Sequence, residues 1–232
     1  MRQFRYPLYF FYLVYFFSSC TNNEIGNSRD VNPDAVFFEY QVWGEEKDST
    51  VTVYLQYRMG GRNGTTLVLN EPSRVQLDGE ELPADSARLS GAFYVKQVPA
   101  ESFAGKHIIS FTDLNRKQYK EEFTWQPFKL KTKIPDSISR GDLAFDFEGL
   151  QALDHLRVIA TDTSFRSRDI NEIDTVRNGR IIIAANKLND LVNGPITLLF
   201  YKEVELPVKN GTKEGGKISV TYGLQREVEL RD

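Results

Sequence analysis

The chain has one cysteine, Cys20, among 232 residues, so no disulfide can form within it. Whatever folds must be held by burial of its core, which a chain of this length can supply. Only two histidines occur, His107 and His155, and neither has a second histidine or a cysteine at ligand spacing. That removes the donor sets that hold zinc. No serine lies in a Gly-x-Ser-x-Gly elbow, and the glycines of Gly60–Gly64 neither follow a phosphate-cradling pattern nor precede a helical one. There is no stretch long enough to span a bilayer as a helix: the longest apolar run, Tyr6–Phe17, is about twelve residues where roughly 20 are needed. Charge of one sign is also missing, with 29 basic against 32 acidic residues and no basic stripe, which argues against nucleic acid as a partner. Helical periodicity is confined to Lys187–Val192, a single turn.

What is present begins with Met1–Cys20. Arg2 and Arg5 precede the apolar run Tyr6–Phe17, and the small residues Ser18 and Ser19 lead into Cys20. Charge, short apolar core and small residues in that order are the layout of a secretory signal. The competing readings are an uncleaved membrane segment, for which the run is too short, and a buried strand, for which no neighbouring strand pattern exists. Thr21–Pro33 is polar and reads as a flexible tether, so residues 1–19 form the expected signal and 20–33 the tether. Removal of 1–19 leaves 27 basic residues (29 less Arg2 and Arg5) against 32 acidic, a formal charge of −5.

From Ala35 the pattern alternates with period two, the mark of strands with one buried face. Strands are expected over Val36–Trp43, Thr50–Tyr57, Arg74–Leu77, Phe93–Val98, Lys106–Thr112 and Gln118–Trp125, with Asp78-Gly79 as a hairpin turn. Gln126-Pro127 breaks the ladder. A second set follows: Phe128–Ile134, Asp142–Phe147, Leu156–Thr161, Arg180–Ala185, Pro195–Lys202 and Lys217–Leu230, the last expected to break at Gly223. The halves read as copies of one unit. Gly91–Val95, a short turn and Gly105–Phe111 match Gly179–Ile183, a short turn and Gly194–Phe200 in order and spacing. The expected fold is all-β, two tandem β-sandwiches over 34–126 and 127–232; one large continuous sandwich is the alternative.

Phe17-Ser18-Ser19-Cys20 resembles the lipobox of bacterial lipoproteins, with Phe where Leu is usual. With the tether and two disulfide-free immunoglobulin-like domains, and with Val75–Leu82 followed by Gly105–Asp113, the chain is similar to surface lipoproteins of Bacteroidetes-type bacteria. The resemblance implies lipidation at Cys20, cleavage before it and an outer-membrane location with the leaflet open. It implies no cofactor and no catalytic motif. It also implies O-glycosylation at Asp-Ser/Thr motifs, here Ser49, Ser86, Ser137 and Thr175, a pattern that ordinary turn chemistry also produces.

The remaining candidates are aromatic. Trp and Tyr faces can stack on the apolar face of a sugar, and Trp43 and Trp125 are the candidate ligand platforms, with Tyr40 and Tyr57 beside them. Asp142, Asp146 and Glu148 are the nearest approach to a cation loop but fall on one solvated strand face. The expected function is a non-enzymatic, membrane-anchored protein-interaction or spacer module at the cell envelope; the alternative is a glycan-binding lipoprotein serving polysaccharide uptake.

Overall fold

A computed structural model describes residues 25–164 and 167–232. Cys20 and the segment 1–19 lie outside the described residues. In the first half the strands are β1 (Ile25–Asn27), β2 (Val36–Glu45), β3 (Thr50–Met59), β4 (Thr65–Val68), β5 (Arg74–Leu77), β6 (Glu80–Glu81), β7 (Ala84–Ala87), β8 (Gly91–Pro99), β9 (Gly105–Thr112) and β10 (Gln118–Trp125). In the second half they are β11 (Lys129–Leu130), β12 (Ser137–Ser139), β13 (Leu143–Glu148), β14 (His155–Asp162), β15 (Ile170–Thr175), β16 (Arg180–Ile183), β17 (Gly194–Pro207) and β18 (Gly216–Arg231). Among the described residues helix occurs only as short 3-10 turns, and no helix is long and apolar enough to cross a membrane.

The first sandwich packs β2, β3 and β8 against β6, β5, β9 and β10. Alternation produces the core directly: along β10 every second residue, Tyr119, Glu121, Phe123 and Trp125, is buried. Phe38, Tyr40, Leu55 and Tyr57 meet Ile109, Phe111 and Tyr119 across the interior. Each such large side chain contributes about 1.5–3 kcal/mol on leaving water. Tyr40 and Tyr57 bring their hydroxyls within 3.4 Å of each other, a buried pair that satisfies both. The Asp78-Gly79 turn takes φ of 51° and 87°, the left-handed pair that a two-residue hairpin needs.

The second sandwich repeats the order. β11, β13 and β16 face β15, β14, β17 and β18 over a core that includes Phe145, Phe147, Leu156, Phe200 and Leu230. β2, β3 and β8 face β5, β9 and β10 in the first half, and β11, β13 and β16 face β14, β17 and β18 in the second, the same chain-order division in both and the one found in immunoglobulin-like domains. The glycines of the sequence repeat coincide in conformation: φ is 72° at Gly91 and 75° at Gly179, then 129° at Gly105 and 130° at Gly194. Each pair starts a strand from a backbone geometry that side chains disfavour.

The two sandwiches are joined by one sheet. β17 and β18 form a hairpin that outruns the second sandwich, and residues 216–223 of β18 pair in parallel with residues 38–45 of β2. The resulting path runs β1-β4-β3-β2-β18-β17-β14-β15. β2 would otherwise be an exposed edge, and the hairpin covers it. Val208 and Ile218 consequently belong to the first core although they lie beyond residue 127 in sequence. The break that the sequence predicts at Gly223 does not occur, and β18 runs through it. A Cβ there would meet the ring of Tyr201 on the neighbouring strand, so the glycine makes room for that ring.

Other departures have local causes. Ile25–Asn27, inside the expected tether, pairs in parallel with β4, and the Ser28 hydroxyl accepts from the Asn70 amide at 2.8 Å. This part of the tether is therefore docked. β4, β6, β7, β12 and β15 lack the apolar alternation that revealed the others; β7 (Ala84–Ala87) is exposed throughout. Phe128–Ile134 contributes only the two residues of β11, because Phe128 turns into the core ahead of it.

Candidate functional site

Trp43 lies on the outer face of the β2-β3-β8 sheet, 40 % exposed. Side chains two apart on one face and diagonal across strands come within reach of each other, which sets up a row. Trp43 is 6.1 Å from Tyr54, with planes at 51°, and Tyr54 stacks on Phe93 at 5.0 Å and 25°. Burial of Tyr54 raises its hydroxyl pKa, and a hydrogen bond from Ser90 works against that shift. Below the stripe, Arg58 ties Glu39 (2.8 Å) to the Gly64 carbonyl (3.2 Å), while Gln56 donates to the carbonyls of Ser90 and Ala92. The support is fixed; the aromatic faces are open to solvent at the Trp43 end.

Trp125 does not share that exposure. It is 1 % exposed, and a Cβ at Gly44 would lie 3.2 Å from its ring. It packs at 6.2 Å from Phe103 and 5.6 Å from Tyr222, between the two cores. A ring so buried offers no open face for stacking, which corrects the expectation of a platform there, although Trp125 borders the cleft described next. Tyr40 and Tyr57 are likewise interior, and burial raises both hydroxyl pKa values well above the usual tyrosine range.

Beside Trp125 a cleft of about 340 Å³ opens between β10 and the β17–β18 hairpin. Its floor is Val204, Leu206, Val220 and Tyr222. These share one face of the hairpin with Ile218, which is buried in the first core. Val204 and Leu206 remain 37 % and 49 % exposed because, among the described residues, no strand of the opposite sheet reaches over them. The sequence reading ended this strand at Lys202 and so missed them. The signal is the continued alternation Val204-Glu205-Leu206 beyond Lys202.

The polar candidates are structural in their contacts. His107 is partly buried, its ring stacked on Phe103 at 3.8 Å; Nδ1 lies 2.7 Å from Asp78 Oδ2 and Nε2 2.7 Å from the Phe103 carbonyl. It fastens the Asp78-Gly79 turn to the start of β9. His155 is exposed, with Nδ1 3.2 Å from Thr175 Oγ1. Asp154, its neighbour in sequence, instead accepts from Lys202 at 2.7 Å. Asp146 is held in a two-point pair by Arg180 (2.7 and 2.9 Å), which lowers its pKa, and Asp142 accepts from the Ala185 amide at 2.8 Å. Among the described residues no three His, Cys, Asp or Glu side chains gather as metal ligands.

Of the four Asp-Ser/Thr motifs, Ser49 and Ser86 are exposed, and Ser137 and Thr175 are half-buried. Asp85 and Asp174 each accept from the amide of the next residue at 2.7 Å, the turn chemistry the motif shares.

A scan against protein-family models finds no match, and comparison with curated proteins finds none either. Among solved structures the chain is similar to the two immunoglobulin domains of DIP-gamma: 9 % identity, 84 % of this chain and 95 % of that one, TM-score 0.24. It is similar also to a tetra-tandem repeat from the extending region of a large adhesion protein, at 14 % identity over 84 % of this chain and 50 % of that one, TM-score 0.28. The fibronectin(III)-like modules of CbhA from Clostridium thermocellum give 8 % identity over 84 % and 94 %, TM-score 0.22. At such scores the fold rests on the strand pairing described above.

Proposed function

We propose that the chain is a non-enzymatic, lipid-anchored interaction module of the cell envelope, resembling surface lipoproteins of Bacteroidetes-type bacteria and tethered to the outer membrane through Cys20. Its partner is a protein that engages the first sandwich at the cleft beside β10. The observation that supports this reading is the apolar floor of Val204, Leu206 and Val220, left uncovered between two strands on a rigid joined sheet. An uncovered apolar surface rimmed by polar residues is the usual mark of an interaction site. The test is a photo-crosslinking amino acid at Leu206 of the full chain in intact cells, with Glu101, on an exposed turn, as control. A discrete protein adduct at 206 and none at 101 is the expected result; no adduct at 206 overturns the reading. Cys20→Ala is expected to release the protein from the membrane fraction.

A second reading is favoured by the Trp43–Tyr54–Phe93 stripe: a glycan stacking on the outer sheet face in service of polysaccharide uptake. A glycan array with Trp43→Ala as control tests it. Binding lost in Trp43→Ala supports it, and binding unchanged in that variant removes it.

A further inference from the structure

We infer that the cleft accepts an extended strand of a partner protein, which adds to the free edge of β10 and completes the short sheet of the first sandwich. The inference rests on the protein-interaction reading and names the form the partner takes.

The opposing sheets are unequal on this side. One is widened by β18 and the far half of β17, whereas the other stops at β10. The Asp113 amide donates to the Lys117 carbonyl at 3.0 Å, which fixes the hydrogen-bonding alternation of the β9–β10 pair. The main-chain groups of Lys120, Glu122 and Thr124 therefore point away from β9. The Lys120 carbonyl confirms the direction, since it accepts from Asn210 Nδ2 at 3.0 Å. The amides and carbonyls of Glu122 and Thr124 face the cleft, and among the described residues no strand pairs with them. A strand placed there would lie about 4.8 Å from β10 and about 10 Å above the hairpin, the spacings of an ordinary sandwich. Its alternate side chains would cover Val204, Leu206 and Val220. About four residues would pair along the free part of the edge, from Glu122 to Trp125, with the rest of the segment running past Lys120.

The other free edge is unsuited to this. Beyond Tyr201, β17 leaves its pairing with β14 and presents Glu203, Glu205 and Pro207. Charges and a proline without an amide are how native edges resist pairing. β10 also carries outward charges, Lys120 and Glu122, but no proline interrupts it, so the amides of Glu122 and Thr124 stay available.

Charge selects the occupant further. Lys117, Lys120 and Lys209 gather at the start of β10. Among the described residues the ammonium groups of Lys120 and Lys209 have no carboxylate partner. Glu121 is spent internally, accepting from the Lys209 amide at 2.9 Å. The fitting partner is an extended segment with alternate apolar residues and an acidic group at the end beside Lys120 and Lys209. Main-chain pairing with pockets for alternate side chains is a recurrent way for a sheet edge to recognise a peptide.

The test uses the soluble chain from residue 20 with Cys20→Ser, and fluorescein-labelled peptides of about eight residues that alternate Val and Thr and carry two Asp at one end or the other. The expected result is saturable binding by anisotropy, slowed amide exchange at Glu122 and Thr124, and at least about tenfold weaker binding in Thr124→Pro and in Val204→Lys/Leu206→Lys. Among the described residues the Thr124 amide donates to no strand, so Thr124→Pro keeps the β9 ladder and should leave the unfolding midpoint near that of the parent. No binding by any peptide, binding equal in Thr124→Pro, or self-association abolished by Thr124→Pro would each overturn the inference. A crosslink at Leu206 that persists in Thr124→Pro would leave the interaction reading standing and remove only the strand pairing.

Discussion

The ring of Tyr222 stands edge-on to that of Trp125, centroids 5.6 Å apart and planes at 87°. The same ring meets Phe128 at 5.4 Å and 77°. Trp125 belongs to the first core and Phe128 to the second, and Tyr222, carried on β18, borders both. Tyr222→Ala removes the shared contact. It should cost about 2–4 kcal/mol and lower the midpoint of a single shared calorimetric transition, since β18 still pairs with β2. Tyr222→Phe keeps both edge contacts and should leave that midpoint near the parent's.

The two tryptophans differ in exposure, 40 % at Trp43 and 1 % at Trp125. Acrylamide should quench Trp43 strongly and Trp125 little. Trp43→Phe is expected to leave only blue-shifted, protected emission, and Trp125→Phe only red-shifted, accessible emission. Trp125→Ala should destabilise by about 3–5 kcal/mol, as loss of a fully buried ring does.

Burial raises the Tyr40 and Tyr57 pKa values above the ordinary value of 10.0. In the unfolded chain these hydroxyls ionise near pH 10, while in the fold they keep their protons to higher pH. The unfolded state then binds fewer protons, so stability is fully present below pH 10 and falls as pH rises beyond it. Urea midpoints between pH 8 and 11.5 should show that fall. It should be shallower in Tyr40→Phe/Tyr57→Phe, which removes both hydroxyls together and leaves neither unpaired. The single Tyr57→Phe strands the Tyr40 hydroxyl and should cost more than the double variant at pH 8.

Much of the fold was legible because its core strands have one wet face and one dry one. β5 and β10 coincide with the expected Arg74–Leu77 and Gln118–Trp125, where alternation is strict. The repeat was legible through Gly91, Gly105, Gly179 and Gly194, since a required backbone conformation leaves a residue-type mark. The strands that escaped, such as β7, are held by main-chain pairing at an edge and carry no apolar pattern. Partnering across long separations leaves no mark either: nothing in Gly216–Gly223 announces that its neighbour is β2. The fate of the tryptophans followed from that. Trp125 is enclosed by Tyr222 on the returning hairpin, and Trp43 stays open because no other described element covers its face of the sheet. The cleft was invisible for the same reason, since it exists only where the hairpin overhangs β10.

Residues 34–126 should not fold stably by themselves, although that segment holds most of the first core. Without the hairpin, β2 loses eight residues of parallel pairing and the core loses Val208 and Ile218. Losing Ile218 alone is equivalent to a large-to-small core change of about 2–5 kcal/mol. A proton–nitrogen correlation spectrum of the excised segment is expected to be poorly dispersed, and addition of a peptide spanning 203–222 should sharpen it.

The central claim is that β18 runs through both sandwiches and pairs with β2. Interstrand nuclear Overhauser contacts in the full chain test it most directly, because the register sets Gln41 beside Ser219 and Trp43 beside Thr221. Backbone proton contacts in a parallel pattern linking residues 38–45 to 216–223, with slow amide exchange along that seam, are the expected result. No contacts between those segments, together with freely exchanging amides on the β18 side of β2, would contradict it.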